Sequence, residues 1–107
     1  MLEVGKLYRC EKFHLLLYPD PDIAAVAAGS GGGPAPAAPN GGNPATYATF
    51  WSNRLGKPVF YLEKNIPLLI LKAEVKAEEK FYEVLAGDRK GWIIYRDWLP
   101  LKEIDYA

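Results

Sequence analysis

Lys80-Phe81-Tyr82-Glu83-Val84-Leu85-Ala86-Gly87-Asp88-Arg89-Lys90-Gly91-Trp92-Ile93-Ile94-Tyr95 is the stretch that decides the fold. Two runs of aromatic and branched aliphatic residues flank Gly87-Asp88-Arg89-Lys90, a turn signal between strand signals, which is how a β-hairpin reads. Gly91 lets the backbone bend where Trp92 turns inward. The same pattern extends outward over Lys6–Cys10, Lys12–Tyr18, Val59–Leu62, Ile66–Val75, Lys80–Ala86, Gly91–Tyr95 and Leu99–Glu103. Arg96-Asp97-Trp98 reads as one round of 3₁₀ helix before a last strand entered through Pro100. Short half-buried strands lose their exposed edges most economically by curling into a small barrel.

Residues 19–57 interrupt this pattern. From Pro21 to Thr49 the chain has nine Ala, six Gly and five Pro in 29 residues, and neither Lys nor Arg occurs between Lys12 and Arg54. Asp20-Pro21-Asp22 supplies an N-cap, a proline at the first helical position and an acid in the first turn, and predicts a helix over 21–28. Asn43-Pro44 repeats the signal for a helix over 44–55, which Gly56 ends. Tyr47, Ala48, Trp51 and Leu55 form one apolar stripe on it. Between the helices, residues 30–42 have nothing to bury and read as a flexible or partly polyproline II linker. Both helices are expected to cover an open end of the barrel, because Tyr47, Phe50 and Trp51 carry too much apolar surface to leave in water.

At 107 residues the chain holds a single domain, 1–107. Half of it is hydrophobic and 24% is charged, the composition of a packed globule. Thirteen basic residues balance thirteen acidic ones, so no net field favours nucleic acid or an anionic membrane, and neither is expected as a partner. One cysteine excludes an internal disulfide framework. No apolar run approaches the roughly 20 residues of a membrane span, and Met1-Leu2-Glu3-Val4 does not read as a signal peptide. A cytoplasmic location is the resulting expectation, with a virion as the other.

The segment from Lys80 to Leu99 resembles the closing third of bacterial SH3-type domains. Phe81-Tyr82 and Val84 stand for the family's aromatic pair and valine before a glycine-containing turn. Gly91-Trp92 matches the pair that opens its next strand, and Trp98-Leu99 the aromatic-leucine that ends its short turn. Leu15-Leu16-Leu17-Tyr18-Pro19-Asp20-Pro21-Asp22 is similar to its first strand and first loop, and Ile66–Leu71 to its central strand. The resemblance implies a mainly β (small α+β) fold: an SH3-like β-barrel with two short helices in a long loop insert. The insert sits where the family's first loop forms one wall of the ligand groove.

Catalytic constellations are missing. A metal site takes three or four ligands, and the chain offers one Cys and one His, Cys10 and His14. They read as a buried thiol and a half-exposed imidazole. No serine elbow exists, and the glycine run Gly29–Gly33 lacks the lysine of a phosphate loop. Glu74, Glu78, Glu79 and Glu83 interleave with Lys72, Lys76 and Lys80 as a solvated hairpin surface. No enzyme, no cofactor and no metal are expected. Pro36-x-x-Pro39 has the spacing of a proline-rich ligand but no flanking cation, and reads as a stiff spacer.

The aromatics divide. Tyr8, Phe13, Tyr18, Phe60, Phe81 and Trp92 are expected in the core. Tyr61, Tyr82 and the five residues Tyr47, Phe50, Trp51, Tyr95 and Trp98 exceed what one small barrel buries. The last five are the candidate partner-binding residues. The chain thus reads as a non-catalytic structural or assembly protein that docks on a larger complex, such as a phage particle, through its insert and barrel end. Its partner is another protein or its own copies. The alternative is an SH3-type recognition module that binds a peptide or cell-wall fragment.

Overall fold

The computed structural model describes residues 2–31, 33–35 and 44–104. In chain order these form β1 (Leu7–Cys10), β2 (Leu15–Leu17), α1 (Pro21–Gly29), α2 (Pro44–Leu55), β3 (Phe60–Leu62), β4 (Leu68–Lys76), β5 (Glu79–Ala86), β6 (Arg89–Tyr95) and β7 (Leu101–Glu103). The result is a small, mostly β, α+β domain. All pairings are antiparallel, in a five-stranded sheet of order β6-β5-β4-β1-β7 and a two-stranded ribbon of β2 and β3. Among the described residues, the ribbon meets the large sheet through one bridge, Tyr18 to Trp92, with both N–H···O distances at 2.8 Å. The two sheets do not close into one barrel.

Both turns of the β4-β5-β6 meander have two residues. Gly87 has φ +65° while Asp88 keeps a negative φ, the pattern of a type II′ hairpin. Ala77 and Glu78 both have positive φ, +51° and +65°, as a type I′ turn demands, although neither residue favours it. Arg96–Leu99 is a single turn closed by Leu99 N–H to Arg96 O at 3.0 Å, in place of the expected 3₁₀ round.

Four successive residues of β6, Gly91 to Ile94, are buried, so this strand has apolar neighbours on both faces. Ile93 faces an aliphatic core with Leu15, Leu17, Leu68, Ile70 and Val84. Trp92 and Ile94 face a second core with Leu16, Tyr18, Phe81, Ala24, Ala27, Ala48 and Trp51. α1 therefore lies on the outer face of β4-β5-β6, and α2 packs beside it against β3. They go there because Phe81, Trp92 and Ile94 give the hairpin a second apolar face that needs a cover.

Gly91 is where the ribbon crosses β6. A Cβ there would sit 2.6 Å from Leu17 Cγ and 2.9 Å from the Tyr18 carbonyl oxygen, so only glycine admits the approach.

In α1, the Asp20 carboxylate accepts from Ile23 N–H at 2.8 Å, the N-cap its sequence announces. Residues 36–43, which hold most of the linker, Pro36-x-x-Pro39 and the Asn43 cap, lie outside the described residues. The preceding piece corrects the expectation that the linker buries nothing. Pro34 is fully buried, its carbonyl accepts from Leu16 N–H at 2.9 Å, and the Tyr18 hydroxyl donates to Gly33 O at 3.2 Å. The unpaired edge of β2 draws the chain in, because its backbone donors need partners.

Candidate functional site

Of the five candidate residues, Phe50 and Trp98 are open to solvent, at 53% and 59% exposure, while Tyr47 and Tyr95 are half-buried. Trp51 is buried. It follows Ala48 along the inward stripe of α2 and joins the core cluster that holds Phe81, Trp92 and Ile94, so it belongs to the core and not to a binding surface. Phe50, one residue earlier, meets the edge of the Trp51 ring at 5.3 Å and is directed outward. Tyr95 lies edge-to-face on Tyr82 at 5.5 Å, and Trp98 edge-to-face on Phe13 at 6.1 Å. Among the described residues, no ring contact joins the pair on α2 to either of these two pairs, so the candidates form separate patches.

Two aromatics expected inside are outside, and besides Trp51 one more expected at the surface is inside. Phe13 lies between β1 and β2 in irregular chain, where strand alternation does not apply, and is 38% exposed. Phe60 stands at the end of the ribbon opposite Leu17, where the Arg89 guanidinium covers its ring at 4.0 Å. Tyr82 is buried in the aliphatic core, its hydroxyl oxygen accepting from Leu2 N–H at 3.3 Å.

The exposed Phe60 and Tyr61 border a groove that sequence reading did not find. It has a volume of about 620 Å³ and runs between α2 (Ala45, Ala48, Thr49), β3 with its flanking Val59 and Glu63, and the β5-β6 turn with Arg89. No sequence signal marks it, because its walls come from segments far apart in the chain. A second hollow of about 400 Å³ adjoins it across Ala45 and Thr49 and contains Phe50. Phe50, Phe60 and Tyr61 thus border one continuous face built by the insert and β3.

Titratable chemistry is sparse. Burial pushes the Tyr18 phenol well above its ordinary range, with the nearby Arg96 charge opposing the shift. Tyr95 is raised by burial too, reinforced by Tyr82 and Asp97. Arg96 pairs with Glu79, and Lys76 with Asp22 at 3.1 Å, tying the β4-β5 turn to α1. That hydrogen bond and the Asp22 charge hold the Lys76 ammonium above its usual value. Cys10 is a buried thiol, and His14 a half-buried imidazole tilted on Tyr61 at 6.2 Å. Among the described residues, no three His, Cys, Asp or Glu gather as metal ligands, and no helix is long and apolar enough to cross a membrane.

Comparison with known proteins finds no family model, no curated protein and no solved structure that matches this chain.

Proposed function

We propose that this chain is a non-catalytic structural or assembly protein that docks a protein partner, or further copies of itself, into a larger complex. One observation carries the reading: Phe50, Phe60 and Tyr61 remain 53%, 42% and 38% exposed on one continuous, grooved face. Exposed aromatics beside a groove are the usual anchors of protein interfaces, because each buries a large rigid surface at low entropy cost. In the same proposal the two sheets form an open SH3-like barrel, which the Tyr18–Trp92 bridge and the single turn before β7 support. The location is cytoplasmic or within a virion.

The alternative, an SH3-type module that binds a peptide or cell-wall fragment, draws on a different patch. Trp98 and Phe13 form an exposed pair beside the Arg96–Leu99 turn, the end where ligands of that family usually lie.

Photo-crosslinking in native cells separates the two. A benzophenone side chain is placed at position 50, at position 98, and at position 75 on the exposed surface of β4 as a control. Protein adducts from position 50 alone are expected. Adducts from position 98 alone would replace the reading with the alternative, and none above the control would overturn both.

A further inference from the structure

The groove contains an open strand edge. Leu16 donates its N–H to Pro34 O, and Tyr18 donates to Trp92 O. Both are even-numbered residues on one strand path, so their backbone groups point away from β3. Leu15 and Leu17 are left to bond Leu62 and Phe60, and Leu16 opposite Tyr61 is the pair without mutual hydrogen bonds. Tyr61 therefore turns its N–H and C=O to the outer edge of β3, away from β2. Val59 shares that edge, and α2 occupies it there: Ser52 Oγ accepts from Val59 N–H at 2.7 Å and lies 3.1 Å from the Val59 oxygen. Beyond this clasp the groove opens along Tyr61 and Glu63.

We propose that this edge takes up an extended, basic segment of a partner protein by strand addition, with Tyr61 N–H and C=O as the anchoring pair. The inference rests on the docking reading above and names how the partner is held. Main-chain hydrogen bonds to an open edge supply affinity, and alternate side chains supply selectivity. Charge sets the occupant's chemistry. Glu63 and Asp88 line the groove without an ion-pair partner among the described residues, while Arg89, the one cation there, is held over Phe60. A segment with lysine or arginine beside its apolar residues answers both carboxylates. The groove is walled on both sides, by α2 and the β5-β6 turn, a form that favours a single extended chain over the folded edge of a second copy.

The test is amide exchange of the full-length, isotope-labelled protein. The probe is a short acetylated peptide that alternates valine and lysine. The Tyr61 amide is expected to exchange freely in the unliganded protein and to slow about tenfold or more with the probe, while Phe60 and Leu62 change little. The same peptide with glutamate for lysine, or with N-methyl groups on alternate residues, should leave Tyr61 unprotected. Tyr61→Pro, which removes the outward donor of an edge strand, should abolish probe binding, whereas Tyr61→Ala, which loses the ring but keeps that donor, should weaken it less and still show the protected amide at position 61. A Tyr61 amide already protected in the free protein, or probe binding that leaves it unprotected, would overturn the inference. Native-cell adducts from position 50 that persist at full yield in Tyr61→Pro would overturn it too, while leaving the docking reading in place.

Discussion

The two cores on either side of β6 are built differently. The side of Ile93 is filled mainly from strands, with Leu15, Leu17, Leu68, Ile70 and Val84 joined by Tyr8, Tyr82 and the flanking Leu2 and Leu99, and takes no residue from either helix. The side of Trp92 needs the insert, whose Ala24, Ala27 and Ala48 bring the helix backbones close to large rings. The Ala-rich insert thus supplies Ala24, Ala27, Ala48 and Trp51 to the core on this side of β6. Small residues there are what permit aromatic packing, in the way interdigitating layers alternate large with small.

Emptying the aromatic side should have the largest effect. Trp92→Ala is expected to cost about 3–5 kcal/mol, the usual range for a buried large ring. A loss under 1 kcal/mol in urea melts would mean that the helices do not depend on it. Gly91→Ala probes the seam between the two cores. The added methyl meets Leu17 and the Tyr18 carbonyl, and overpacking of this kind costs about 1–3 kcal/mol. An unchanged melting midpoint would show that the ribbon does not press on β6 as described.

Tyr18→Phe sharpens the comparison through pH. The folded phenol is held above its unfolded value, so the native state keeps the proton longer. Its contribution is complete below the ordinary tyrosine pKa of about 10 and is lost as pH rises above it. Tyr18→Phe should cost about 1 kcal/mol at neutral pH for the lost hydrogen bond to Gly33. It should also flatten the alkaline fall in stability. Parallel alkaline curves for the two proteins would contradict the burial of that hydroxyl. The smallest effect is a gain. Glu78→Gly relieves a positive φ at the β4-β5 turn and should add about 0.5–1 kcal/mol by chemical denaturation. A loss there would mean that the Glu78 side chain makes up for the strain.

How much of this was legible in the sequence depended on local chemistry. Asp20-Pro21 and Gly87-Asp88 announce a helix start and a hairpin because capping and turn geometry are written in adjacent residues. The Ala77-Glu78 turn carries no such signal, since its tight geometry is imposed by the paired strands on residues that do not favour it. Alternation placed Tyr8, Tyr18, Phe81 and Trp92 inside, and failed for Phe13 and Phe60, which lie at or beyond strand ends. The helix stripe placed Trp51 inward while its size marked it as a surface anchor, and the stripe prevailed. The groove and the open edge at Tyr61 depend on which way backbone groups of β2 point. Long-range contacts to Pro34 and Trp92 decide that.

Phe50 and Trp51 are consecutive residues that the account assigns to opposite roles, so substituting each tests the split between docking and folding most directly. Urea unfolding and retention of the native complex on size exclusion are measured on the same preparations. Phe50→Ala should stay within about 0.5 kcal/mol of the parent and lose the complex, while Trp51→Ala should lose about 3–5 kcal/mol. A Phe50→Ala protein that keeps its complex at full yield, or that unfolds as readily as Trp51→Ala, would contradict the assignment.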